Sequence, residues 1–126
     1  MPSAAASSPP LVSSSGFTLL LDASAPRVQL LLFPAQGLAD PVHYSSEEPA
    51  LTSLFRGLAH CLAEANETLE DVAALHLCAG PGSTLGLRIA ATLAKTLLRE
   101  SAPALHLYNA LDLAAHFLAP PPPPPP

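Results

Sequence analysis

Basic residues are scarce in this chain. Five of them (Arg27, Arg56, Arg88, Lys95 and Arg99) stand against ten acidic residues among 126, for a net charge of -5. That balance speaks against a direct, salt-sensitive grip on a phosphate backbone, so no direct nucleic-acid contact is expected. Cysteine is scarcer still. Cys61 and Cys78 lie 17 residues apart, without a second cysteine or a nearby histidine at ligand spacing, so neither a zinc site nor a redox Cys-x-x-Cys is written here. They read as two buried, reduced thiols of a cytosolic protein. Long apolar runs are also missing: segments such as Leu19 to Leu21 and Leu30 to Phe33 fall far short of the ~18 residues of a membrane span. Residues 1–16, MPSAAASSPPLVSSSG, contain no lysine or arginine and no apolar run, and so lack both the charged start and the core of a secretory signal. A disordered leader and a cytoplasmic location are the expectation.

Between that leader and a tail over residues 119–126, seven consecutive prolines at its end, residues 17–118 suffice for one domain that stands without a staple. Phe17 to Leu21 and Val28 to Phe33 are short apolar runs around a turn-forming segment, the pattern of a β-hairpin. A third strand is expected near Leu38 to Ser45, confined to an edge or shortened by Pro41. Pro49 suits a helix start, and Leu51, Leu54, Phe55, Leu58, Leu62 and Ala65 recur at helical spacing. Thr52, Ser53, Arg56, His60 and Glu64 lie on the opposite, wet face. Val72 to Ala79 reads as a buried strand, and a second helix follows from Thr84 to Arg99. Its apolar residues, Ile89, Leu93 and Leu97 with Leu87, Leu98 and the three alanines Ala90, Ala91 and Ala94 among them, span roughly 200°, twice the stripe of an ordinary surface helix, which predicts packing on two sides. Ala104 to Tyr108 reads as another strand, and Leu111 to Leu118 as a short closing helix capped near Asn109. The order predicts an α/β fold with a mixed five-stranded sheet, antiparallel at first and parallel later. The proline tail should be extended polyproline II.

Chemistry concentrates in one segment, a strand followed by Gly80-Pro81-Gly82-Ser83-Thr84-Leu85-Gly86-Leu87-Arg88. Glycines permit tight angles or close approach, and Ser83 or Thr84 can cap the helix. Free N–H groups there, with Arg88 a turn later, suit an anion, and a plain strand-to-helix connection suits the sequence equally well. Walker A is excluded because Gly86 precedes Leu87 and Arg88 rather than Lys-Ser/Thr. Ser83 is not in a Gly-x-Ser-x-Gly elbow, since Gly82 adjoins it. The histidines (43, 60, 76, 106 and 116) contain no His-x-x-x-His pair, so no metal site is visible.

The run Gly80 to Ile89 resembles the GPGSFTGLRIG signature of the TsaB, or YeaZ-type, family. Phe17 to Ser24 resembles that family's opening strand and Asp-Thr-Ser turn, and Leu69-Glu70-Asp71-Val72 the approach to the signature strand. Three residues depart from the pattern: Ala23 for threonine, Thr84-Leu85 for Phe-Thr, and Ala90 for the last glycine. The resemblance covers residues 17–118, the family's N-terminal domain. It implies a fold of the actin, Hsp70 and sugar-kinase superfamily without a working ATP site. It further implies a partner, the catalytic subunit TsaD, together with TsaE, in forming threonylcarbamoyladenosine beside the tRNA anticodon. The paired surface in that family comes largely from N-terminal helices, which here implicates Leu58, Leu85, Ile89, Leu93 and Leu97; the same helices imply a homodimer for the isolated protein.

A non-catalytic binding domain is thus the leading expectation, with no catalytic residue, metal or cofactor of its own. The competing reading is a nucleotide- or metal-dependent enzyme of the same superfamily, because Asp22 occupies the position of a phosphate-loop aspartate. Aspartate after a strand also closes turns by binding nearby N–H groups, and that reading of Asp22 is preferred. A third reading is a degenerate fragment that folds without activity.

Overall fold

A computed structural model describes residues 16–35, 40–112, 115 and 123–125. Residues 1–15 of the leader, most of the expected closing helix and most of the proline tail lie outside the described residues. Strands β1 (Phe17–Asp22), β2 (Val28–Phe33) and β3 (Val42–Ser46) precede helix α1 (Ala50–Ala65). Strand β4 (Val72–Cys78), helix α2 (Thr84–Ser101) and strand β5 (Ala104–Tyr108) follow. They form one mixed sheet in the order β3-β2-β1-β4-β5. The β1–β2 and β2–β3 pairs are antiparallel; β1–β4 and β4–β5 are parallel, each closed through a helix. The expected third strand begins later than Leu38, at Val42, and does occupy an edge.

Register assigns the two faces of the sheet. Leu19 pairs with Leu32 and Leu75, Leu21 with Leu30 and Leu77, so these six leucines share one face. Both helices cover it, α1 lying over β2 and β3 and α2 over β4 and β1. Leu54, Leu58 and Cys61 of α1 meet Ala90, Leu93, Ala94 and Leu97 of α2 in a single core with those leucines. Each fully buried leucine contributes about 1.5–3 kcal/mol of transfer free energy, the main support of the fold. Burial pushes the Cys61 thiol up to about 11, so it stays protonated and inert.

The buried face of α1 is rotated from the expected one. Ser53, expected in water, is fully buried and donates its hydroxyl to the Glu48 carbonyl at 2.8 Å, whereas Leu51 and Phe55 are 54% and 57% exposed. The cause is Gly57, where the helix comes so close to the sheet that a Cβ would stand 2.6 Å from the Tyr44 ring and 2.7 Å from Leu30. Contact therefore centres on 54, 57, 58 and 61. The wide apolar arc of α2 divides as the sequence predicts: Ala90, Leu93, Ala94 and Leu97 are buried, with Ile89 half-buried on one flank and Leu87, Ala91 and Leu98 on the other.

Candidate functional site

The signature turn and the β1–β2 hairpin interlock. Beyond β1, the Asp22 carboxylate accepts from the Ser24 N–H at 2.9 Å and from its hydroxyl at 2.6 Å, closing the turn locally. The Ser24 carbonyl in turn accepts from the Ser83 N–H at 2.7 Å. A Cβ on Gly82 would collide with the Ser24 carbonyl oxygen, and one on Gly86 with that of Ala23. Both glycines are thus required by close backbone approach. Gly80 has a different need, a φ of 109° beside a cis Gly80–Pro81 bond. Ser83 caps α2, its Oγ accepting from the Gly86 N–H at 3.1 Å. Of the N–H groups that suggested an anion cradle, those of Ser83 and Gly86 have protein acceptors. Asp22 Oδ1 is engaged by Ser24.

Arg88 lies one turn into α2, exposed, and has no ion pair among the described residues. It stands on the rim of an apolar groove of about 460 Å³ between the two helices, with Leu51, Phe55, Leu85, Ile89 and Thr92. Leu85 is 66% exposed. The residues expected at a partner surface therefore separate. Leu85 projects and Ile89 is half-buried, but Leu58, Leu93 and Leu97 belong to the core, with Leu93 forming the floor of the groove. This corrects the sequence expectation for those three: a helical residue wide of solvent in projection is still core when a second helix lies beside it. Leu51 and Phe55 were missed as surface residues, and Gly57 was the signal that displaces them outward.

On the opposite face of the sheet the side chains are mixed. His76 and His106 are register partners whose rings lie 5.1 Å apart at 34°. His76 Nε2 and Thr18 Oγ1 are buried with no hydrogen-bond partner among the described residues. Burial, then the His106 charge, lowers the His76 pKa; burial, with Asp22 and Cys78 nearby, raises that of Tyr108. No cluster of three His, Cys, Asp or Glu side chains able to hold a metal occurs among the described residues. No helix of the described residues is long and apolar enough to cross a membrane.

With this geometry in place, comparison with known proteins assigns the fold. The family model of TsaD, tRNA N6-adenosine threonylcarbamoyltransferase, matches residues 51–121, which includes the groove, the glycine turn and Arg88. The solved structure of YeaZ from Pseudomonas aeruginosa superposes with a TM-score of 0.69 at 20% identity, over 82% of this chain and 49% of that one. A crystal structure of an uncharacterized protein with similarity to peptidase YeaZ from Pseudomonas aeruginosa gives 0.68 at 22% identity with the same coverage. The chain spans about half the length of these structures and has their fold, a mixed five-stranded sheet with flanking helices. No curated protein matches the sequence.

Proposed function

This chain belongs to the TsaD family, tRNA N6-adenosine threonylcarbamoyltransferase, and we propose that its role there is non-catalytic: it docks a TsaD-like catalytic subunit on the α1–α2 groove. The observation that carries this reading is the groove itself. Three large apolar side chains, Leu51, Phe55 and Leu85, stand more than half exposed around it, beside an arginine without an ion pair among the described residues. Apolar anchors around a cation form the kind of patch in which a few residues carry most binding energy. Arg88 supplies orientation by pairing with a carboxylate of the partner. TsaE would join the assembly through the catalytic subunit, and tRNA would be held by that subunit, in keeping with the acidic balance of this chain.

A second reading, in which the chain itself catalyses, is favoured by one observation: the matching family is named for a transferase. Its candidate is Asp22, whose carboxylate is engaged by Ser24. The docking reading is tested by co-purification with a TsaD-like subunit from the same organism followed by light scattering. A one-to-one complex is expected, weakened at least ~10-fold by Leu85→Glu or Phe55→Glu, which change exposed positions and leave the core intact. Failure of the wild-type chain to associate overturns the docking reading and leaves a degenerate domain. A rise in melting temperature with ATP and magnesium, lost in Asp22→Asn, would instead support the enzyme.

A further inference from the structure

The seven consecutive prolines, Pro120 to Pro126, have no part in the docking reading above. The described ones, Pro123 to Pro125, are exposed and lie outside any helix or strand. Each pyrrolidine ring fixes φ at about -65° and removes the backbone N–H, so the favoured conformation of the run is polyproline II, about 22 Å long at roughly 3.1 Å per residue. Such a rod presents seven carbonyl acceptors, no backbone donor and no charge; the nearest formally charged residue, Asp112, stands eight positions before Pro120. Each of these properties removes a class of partner. Without charge the run has no hold on a phosphate backbone. Without N–H groups it cannot pair with a sheet edge or with its own counterpart in a second copy. Carbonyls on every residue do not suit the interior of a bilayer. What remains is a trough of aromatic side chains, which stack on the proline rings while tyrosine O–H or tryptophan N–H groups donate to the carbonyls.

The domain does not supply that trough itself. The chain has no tryptophan, Phe17 is fully buried, and Tyr44 packs on the core beside Gly57. The two close ring pairs among the described residues, Tyr44 with His60 and His76 with His106, each include a histidine. Phe55 stands in the α1–α2 groove without a second ring. We propose that Pro120 to Pro126 is a ligand segment for a separate protein module whose groove is lined by aromatic rings. The run already favours the bound conformation, and proline loses no side-chain entropy, so ordering it costs little. No side chain of the run fixes direction or register, and affinity rests on ring stacking and carbonyl acceptance alone. The run is carried on a short tether. The chain leaves β5 through Ala110, whose N–H donates to the Gly80 carbonyl at 2.7 Å, and through the turn capped by Asn109. Neither Leu85 nor Phe55 is used, so the α1–α2 groove stays free for its own partner.

Because the chain lacks tryptophan, the fluorescence of a groove tryptophan in an added module reports binding without background. The full chain is titrated into a purified WW domain and a purified EVH1 domain, two modules with aromatic grooves of this kind. A saturable change in that fluorescence is expected with at least one of them. Pro123→Gly leaves two separate runs of three prolines and restores a free φ and an N–H between them, so it should raise Kd about tenfold. Phe55→Glu is expected to leave Kd unchanged, and an unaltered melting temperature for Pro123→Gly checks that the domain is intact. A wild-type chain that binds neither module overturns the proposal and leaves the run a stiff spacer. Binding that Pro123→Gly does not weaken overturns it as well, since the contact would then lie on the folded domain.

Discussion

The two faces of the sheet are built on different terms. One is nearly uniform: Leu19, Leu21, Leu30, Leu32, Leu75 and Leu77 lie under two helices, joined at the β3 edge by the Tyr44 ring beside Gly57. The other carries Thr18, Asp22, His76, Cys78, His106 and Tyr108, with two buried polar atoms that lack partners among the described residues. The first face contributes stability through area removed from water, and the second holds groups whose desolvation costs free energy. Polar chemistry is concentrated on one side of this domain and cohesion on the other.

The sharpest way to break that comparison is to cut into the uniform face. Leu75→Ala removes a fully buried side chain beneath α2 and should cost about 2–5 kcal/mol by denaturant unfolding; a cost below about 1 kcal/mol would mean that the helices collapse into the gap. The opposite sign is expected across the sheet. Thr18→Val keeps shape and removes a buried hydroxyl without a partner, so the chain should gain about 1 kcal/mol. A loss would reveal an acceptor for that hydroxyl. The smallest effect concerns pH. Burial and His106 lower the His76 pKa from its ordinary value near 6.5, so the unfolded chain takes up this proton at a higher pH than the folded chain does. The corresponding stability is complete above about pH 6.5 and declines as acid is added below it. His76→Gln should remove that part of the pH slope in thermal melts; an unchanged slope would assign it to other groups.

Much of this was legible beforehand because it is local. Short apolar runs bounded by turn residues mark β1, β2, β4 and β5 within a residue or so, and Asn109 does cap a helical turn, its Oδ1 accepting from the Leu111 and Asp112 N–H groups. The resemblance in residues 80–89 led to the fold. The helix faces were less legible. A projection of α1 counts Leu51 and Phe55 with Leu54 and Leu58 because all four are apolar, yet contact is decided by where the backbone can come nearest, and that is Gly57.

Leu58, Leu93 and Leu97 illustrate the same limit from the other side. Their spacing established an apolar stripe, and spacing alone is silent on whether a stripe meets its own sheet or another molecule. The amino-acid order by itself determined the elements, their sequence along the chain and the glycine turn, since these depend on side-chain period and backbone freedom over a few residues. Tertiary structure alone decided that Ser24 reaches the start of α2, that Leu51, Phe55 and Leu85 stay in water, and that Leu105 and Leu107 turn their polar groups away from β4. Each depends on a distance or direction between segments far apart in the chain, which no local pattern encodes.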